Sequence, residues 1–215
     1  MSSFTIVEKK YGKLLLCDDD NLIENYIRNN EQIWDEDIVN EIEKHINSES
    51  VIIDVGAYIG EQVIYLSKKC KHIHAFEPQF RRFQQMCGNL CINERYNVTC
   101  YNIGVGEKEK NIRIHHPCAS NHADGRLVEG GTGKCIPLDR LNLNPNLIKI
   151  DAQGYDYFVI EGAKETIKKH KPIIIFEFEP FFSKSIEDYK ILFNELNYTV
   201  ELISNNGANY IAKSR

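Results

Sequence analysis

The stretch VIIDVGAYIG, residues 51–60, decides the fold class. A short apolar run leads to an aspartate at position 54, and glycines follow at positions 56 and 60. The apolar run is typical of a buried strand, while the glycines permit a tight turn and close packing where a helix begins. We therefore predict a strand, a turn that a ligand approaches, and a helix.

Strand and helix patterns alternate over the rest of the chain. Strands are predicted at 51–54, 72–77, 97–102, 147–151 and 172–179, helices at 60–69, 79–92, 155–170 (with a break near Gly162) and 185–196, and a β-hairpin from 198 with its turn at Asn205-Asn206-Gly207. Nearly continuous apolar strands separated by helices indicate a parallel sheet covered on both faces. The predicted fold class is α/β, a Rossmann-like doubly wound sheet with ligand at the carboxyl ends of its strands and one antiparallel strand from the hairpin.

Residues 1–50 precede this pattern. They predict two short strands at 4–7 and 13–16, then helices at 21–29 and 35–46. We interpret this segment as a lid or brace that belongs to the same domain as residues 51–215.

Composition limits the function. The 215 residues carry a net charge of -5, which disfavours a dedicated nucleic-acid binder. The seven cysteines are odd in number and form no CxxC pair, so we expect reduced thiols, no metal site and a cytoplasmic location. The sequence predicts no signal peptide and no membrane span.

The first loop favours one cofactor class. Asp54 stands where a dinucleotide-binding motif has its first glycine, and a pyrophosphate would be repelled by that acid. An ammonium group or ribose hydroxyls would be attracted, which favours S-adenosylmethionine over NAD. Glu77 ends the second strand, 21 residues after Gly56, where a carboxylate can accept hydrogen bonds from ribose, and Pro78 fixes the exit of the chain. The alternative to a cofactor loop is a glycine turn that Asp54 caps, and the alternative to a ribose ligand is a solvated Glu77 at the strand end.

Other strand ends carry candidate site residues. Asn102 ends the third strand, and its amide with the neighbouring Ile103 suits an adenine ring, although a polar turn would look the same. Asp151 ends the fourth strand and is the first catalytic candidate. Glu177, on the fifth strand, is the second candidate, and a structural salt bridge is its alternative. His122 is a candidate base in the polar, glycine-rich stretch 104–135, which we predict to be an irregular acceptor lid.

Taken together, these blocks resemble the FkbM family of S-adenosylmethionine-dependent methyltransferases. The matching segments are VIIDVGAYIG (51–60), HAFEPQFRRFQQMCGNL (74–90), NIGVGE (102–107), IPLDRL (136–141), LIKIDAQGYDYFVIEGAKETI (147–167) and IIIFEFEP (173–180). Each block alone is weak, and the combination of AFEP with LIKID-x-x-G is specific.

The resemblance implies a seven-stranded mixed sheet of order 3-2-1-4-5-7-6, with strand 7 antiparallel. It also implies that the cofactor loop contains Asp54, Gly56, Ala57, Tyr58 and Gly60, with Glu77 and Pro78 by the ribose, Asn102 and Ile103 by the adenine and Asp151 near the methyl group. Two positions depart from the family: Tyr58 replaces a frequent Asn, and Gln153 replaces a frequent Glu. Because glutamine is neither a base nor a charged ligand, a mechanism through that glutamate is in doubt here.

By the same resemblance we expect an O-methyltransferase acting on a hydroxyl of a sugar or glycan. Tyr11, Trp34 and Phe181 are aromatic residues that can stack on a sugar, with core packing as their alternative. The expected partner is a small-molecule or glycan acceptor, without nucleic acid or membrane, and a homo-oligomer stays open. A methyltransferase acting on RNA or protein, or a non-catalytic binding module, are the competing hypotheses.

Overall fold

The computed structural model describes residues 3–18, 22–116, 125–179, 184–204 and 208–215. The strands are β1 (Phe4–Lys9), β2 (Gly12–Cys17), β3 (Val51–Val55), β4 (His72–Phe76), β5 (Val98–Tyr101), β6 (Gly104–Val105), β7 (Lys110–His115), β8 (Arg126–Glu129), β9 (Gly133–Ile136), β10 (Leu147–Ile150), β11 (Ile173–Glu177), β12 (Tyr198–Ser204) and β13 (Asn209–Ser214). The helices are α1 (Leu22–Asn29), α2 (Glu36–Glu43), α3 (Glu61–Leu66), α4 (Phe80–Ile92), α5 (Asp156–Glu161), α6 (Lys164–His170) and α7 (Ile186–Glu195), with a 3-10 turn at Leu138–Leu141.

The central sheet has seven strands in the order β12-β13-β11-β10-β3-β4-β5. Numbered among themselves along the chain, these strands read 3-2-1-4-5-7-6 from the β5 edge, as the resemblance implies. The strand β13 runs antiparallel to both neighbours, while β11, β10, β3, β4 and β5 pair in parallel. Their carboxyl ends therefore meet along one edge, which is where the candidate side chains were expected.

The core lies on both faces of this sheet. Ile52 and Ile53 are adjacent in β3 and point to opposite faces, yet both are fully buried, each in a different apolar cluster. Burial on both faces is the physical reason for the unbroken apolar run in the sequence, and it confirms the α/β assignment.

The N-terminal strands and helices pack on one face of the sheet. Leu14, Ile27 and Ile42 are fully buried in the same apolar cluster as Ile52. A buried ion pair joins Arg82 of α4 to Glu24 of α1 at 2.7 Å. This segment therefore shares its core with the sheet.

The expectation of an irregular stretch at 104–135 is wrong for its described part. Strands β6, β7, β8 and β9 form a second sheet in the order β6-β9-β7-β8. The alternation in β7, with Ile112 buried against Gly104 and exposed polar neighbours, explains why these strands form.

Several earlier predictions fall outside the described residues: His122, Phe181 and the turn at 205–207. The six cysteines that the structure describes are outside any disulfide. Within the described residues, every helix is too short or too polar to cross a membrane.

Candidate functional site

A cavity of about 410 Å³ opens at the carboxyl ends of β3, β4, β10 and β11. Of the residues predicted from the sequence, those that line it are Trp34, Asp54, Gly56, Ala57, Tyr58, Glu77, Pro78, Ile103, Asp151 and Glu177, whereas Tyr11 does not. Gly60 and Asn102 do not reach its wall. The other strand-end positions thus come together as expected, whereas Gly60 and Asn102, which were predicted to contact the ligand, lie outside the lining of the cavity.

The loop after β3 is shaped by close backbone packing. Gly56 has φ +87°, and a β-carbon there would lie 1.8 Å from the backbone oxygen of Asp151. Gly60 also has positive φ, and a β-carbon would lie 2.9 Å from Cγ of Met86 in α4. Both positions therefore require glycine, one against β10 and the other against a helix.

The amide groups of this loop bond within the protein. The N–H groups of Gly56 and Ala57 both donate to the carbonyl oxygen of Phe76 at 3.0 Å. The N–H of Tyr58 donates to Glu77 Oε2 at 2.9 Å. These three amides are therefore already bonded and are not available to hold a pyrophosphate as in a glycine-rich turn.

Glu77 is the fixed carboxylate of the cavity. It is 4% exposed, and its second oxygen accepts a hydrogen bond from the N–H of Gln79 at 2.8 Å. Burial raises its pKa to about 8. Asn102 stands behind it, since its amide donates to the carbonyl oxygens of Glu77 and Pro78 at 2.9 and 3.2 Å. Asn102 thus shapes the loop that carries Glu77.

Lys149 is a site residue that the sequence reading missed. Its Nζ donates to Asp54 Oδ1 at 3.2 Å and lies 3.7 Å from Asp151 Oδ2. Burial opposes the charge on Lys149, yet the two aspartates outweigh it and raise the pKa of the ammonium. A lysine inside a strand buried on both faces was the available signal, because such a charge needs a partner.

Asp151 and Glu177 lie together at the ends of β10 and β11. The side-chain amide of Gln153 donates to Asp151 Oδ1 at 2.8 Å and lies 3.5 Å from Glu177 Oε2. Burial, followed by the neighbouring Asp151 carboxylate, raises the pKa of Glu177 well above its ordinary value, and the two side chains share a hydrogen bond. This arrangement differs from the structural salt bridge that was the alternative for Glu177.

The other end of the cavity is apolar. Phe76, Pro78, Ile103 and Val105 line it, together with Leu127 of β8 in the small sheet. This wall suits a flat aromatic group such as a nucleobase. Among the described residues, no cluster of three or more His, Cys, Asp or Glu side chains is placed to hold a metal ion.

Comparison with known proteins identifies relatives of this arrangement. The model of the "Methyltransferase FkbM domain" family matches residues 54–200. The hexuronic acid methyltransferase AglP of Haloferax volcanii is 25% identical over 161 residues, which cover 67% of this chain and 66% of AglP.

Two solved structures share the fold. Methyltransferase FkbM from Methylobacillus flagellatus KT has a TM-score of 0.55 at 19% identity, covering 78% of this chain and 44% of the other. TYW2 of M. jannaschii, solved in complex with AdoMet, has a TM-score of 0.51 at 15% identity, covering 99% of this chain and 84% of the other. The chain thus spans slightly less than two thirds of AglP and less than half of the FkbM structure.

Proposed function

Because this chain belongs to the FkbM methyltransferase family, we propose that it is an S-adenosylmethionine-dependent O-methyltransferase whose acceptor is a hydroxyl of a sugar or glycan. The observation that carries the proposal is the cavity that joins an apolar wall, the fixed carboxylate of Glu77 and the Asp151–Glu177 pair at one sheet edge. The hexuronic acid activity named for AglP supports a carbohydrate acceptor.

The residues present fit the cofactor. Glu77 lines the cavity with both oxygens held by backbone amides, which leaves lone pairs for ribose hydroxyls. The apolar wall at Phe76 and Ile103 suits adenine. Gly56 keeps the loop flat against β10, where a side chain would collide with the backbone. When bound, the cofactor supplies a methyl group on a positively charged sulfur, which acidic walls favour.

A dinucleotide fits this cavity poorly. Its pyrophosphate would need free backbone amides, and those of Gly56, Ala57 and Tyr58 are already bonded. The Asp54 carboxylate would also repel it. These contacts support a methyltransferase over an oxidoreductase.

Asp151 is suited to take the proton of the acceptor hydroxyl. The Asp151 carboxylate would take the O–H proton of the acceptor while the hydroxyl oxygen gains the methyl group that the bound cofactor would supply; the sulfur would keep the electron pair of the broken sulfur–methyl bond as a neutral thioether. Lys149 and the Gln153 amide hold that carboxylate from two sides. Glu177, whose pKa is raised by burial, also hydrogen-bonds to Asp151. Positioning supplies the rest of the rate, because the methyl donor is already activated.

The test is to offer methyl-labelled S-adenosylmethionine with three acceptor classes: glycosides and nucleotide sugars, RNA, and a protein extract. We expect label on carbohydrate, with none from heat-inactivated protein. Label on RNA or protein alone would contradict the carbohydrate acceptor, although it would still support methyltransferase activity. Absence of cofactor binding at micromolar concentrations would support a non-catalytic module instead.

A further inference from the structure

We infer that Trp34 and Asp35 form the acceptor subsite of this cavity and that the sugar unit they bind is neutral, not a uronic acid. This inference rests on the proposed carbohydrate acceptor. Both residues belong to the loop before α2 and line the cavity. They precede the segment that matches the family model, which begins at residue 54. The subsite therefore lies outside the part of the chain that the family model matches.

Trp34 is held from several sides. Its backbone N–H donates to Glu61 Oε2 at 3.3 Å, and its carbonyl oxygen accepts from Gln62 Nε2 at 3.0 Å. Its ring meets Tyr26 edge to face, with centroids 5.0 Å apart. A half-buried aromatic ring fixed in this way at a cavity wall is a preorganised surface for the apolar face of a sugar.

The tip of the N-terminal hairpin fixes this corner. The Tyr11 hydroxyl donates to Glu61 Oε1 at 2.5 Å, and both side chains are 5% exposed. Glu61 thus connects the hairpin to the Trp34 backbone. Tyr11 acts as a positioning residue, since it reaches the subsite only through Glu61.

Asp35 supplies the polar half of the subsite. Its backbone adopts the left-handed conformation with φ 54°, at the residue before α2. A non-glycine residue in that conformation is costly and is maintained where the surrounding structure requires it. A carboxylate next to an aromatic ring can accept hydrogen bonds from sugar hydroxyls while the ring covers the C–H face.

The charge of the cavity selects against acidic sugars. The acidic side chains that line the cavity are Asp35, Asp54, Glu61, Glu77, Asp151, Glu177 and Glu179. Burial raises the pKa of Glu61, Glu77 and Glu177, so the negative charge of the cavity comes from the aspartates and Glu179. Lys149 is the only cation among the described lining residues, and it is paired with Asp54 and Asp151. A uronate would meet repulsion without a compensating cation, whereas hydroxyls meet acceptors. On this point the chain is expected to differ from AglP.

Trp34 is the only tryptophan of the chain, so its fluorescence reports directly on the subsite. With S-adenosylhomocysteine at saturation, we would titrate methyl α-D-glucopyranoside, methyl α-D-mannopyranoside and methyl α-D-glucopyranosiduronate. The glucoside and the glucuronoside differ only in the oxidation state of C6. We expect a saturable change in emission with at least one neutral glycoside, and at least tenfold weaker binding of the glucuronoside.

Two variants test the assignment. Asp35→Asn is expected to weaken the binding of neutral glycosides about tenfold. It is also expected to reduce the difference in affinity between the neutral glycosides and the glucuronoside, since it removes a repulsive charge. Asp37 is exposed, and Asp37→Asn is the matched control. It should change neither the affinity for neutral glycosides nor the difference in affinity from the glucuronoside. Tyr11→Phe is expected to weaken glycoside binding while the affinity for S-adenosylhomocysteine stays constant, with Tyr96→Phe, 85% exposed, as its control.

Two results of the binding titration would overturn the inference. One is equal or tighter binding of the glucuronoside. The other is an emission change with S-adenosylhomocysteine but with no glycoside, which would place Trp34 beside the cofactor. Transfer of labelled methyl groups to glycosides without any change in Trp34 emission would support the proposed function and contradict this subsite. Glycoside binding at Trp34 without label transfer would support the subsite and reject the proposed function.

Discussion

Gly56 and Asp151 approach so closely that a β-carbon at position 56 would lie 1.8 Å from the backbone oxygen of Asp151. This contact brings the loop after β3 against the end of β10, where the cofactor loop and the catalytic candidate share one wall. The glycine that the sequence places after Asp54 is thus a packing requirement between two neighbouring strands.

Gly56→Ala should therefore disrupt the cavity. We expect a loss of at least about 2 kcal/mol in the free energy of unfolding, because the variant combines a backbone clash with a positive φ, and a large loss of S-adenosylmethionine affinity by calorimetry. Gly88→Ala in α4 is the control, since its β-carbon would meet only Leu15 at 3.8 Å. That change should stabilise the helix by up to about 1 kcal/mol. Equal behaviour of the two variants would contradict the packing role of Gly56.

Lys149→Met should lower the free energy of unfolding, because it leaves the carboxylates of Asp54 and Asp151 without their cation. Breaking a buried ion pair typically costs about 3–5 kcal/mol, measured by denaturant unfolding. Adding Asp54→Asn should recover part of this loss, because the remaining partner no longer carries a charge. Lys168→Met, which breaks an exposed pair with Glu165, should cost about 0–1 kcal/mol. Additive effects of Lys149→Met and Asp54→Asn would mean that the two residues are not coupled.

Asp156 should make stability depend on pH. It is 1% exposed, its Oδ2 lacks a hydrogen-bond partner, and burial raises its pKa from 3.8 to about 8. Between these values the folded state holds a proton that the unfolded state releases, so stability falls as pH rises. For this group alone the slope approaches about 1.4 kcal/mol per pH unit. Asp156→Asn should flatten the curve between pH 4 and 8 and raise the melting temperature most at pH 8. An unchanged slope would contradict a neutral, buried Asp156.

Glu77→Gln should weaken S-adenosylmethionine binding. Leaving buried hydroxyl donors without their acceptor costs about 1–3 kcal/mol, which corresponds to roughly fivefold to a hundredfold in the dissociation constant. The amide would also place an N–H₂ against the N–H of Tyr58 or Gln79. The exposed Glu49→Gln serves as the control in the same calorimetric titration. Unaltered affinity in Glu77→Gln would remove Glu77 from the cofactor site.

The main sheet could be predicted because its strands are buried on both faces. Ile52, Ile53 and Ile148 form runs that only a parallel sheet between helices accommodates. Glu77 and Asp151 follow from the same pattern, since polar residues at strand ends must face the carboxyl edge.

Other features depend on contacts between distant segments. The small sheet joins short, half-polar strands such as β8, whose pairing with β7 is set by tertiary contacts and not by local pattern. Lys149 meets Asp54 because the two are register partners in neighbouring strands, and register is not visible in a single sequence. Asn102 was assigned to the ligand although its amide bonds to the backbone of Glu77 and Pro78.

The most direct test of the account is a single-turnover assay of methyl transfer to a neutral methyl glycoside, comparing wild type with Asp151→Asn. S-adenosylmethionine affinity is measured on the same samples. Removing a general base typically costs about 10²–10⁴ in rate. The account predicts a rate loss in that range with cofactor affinity preserved within a few fold. Transfer by Asp151→Asn at the wild-type rate would contradict the assignment of Asp151 as the proton acceptor of this site.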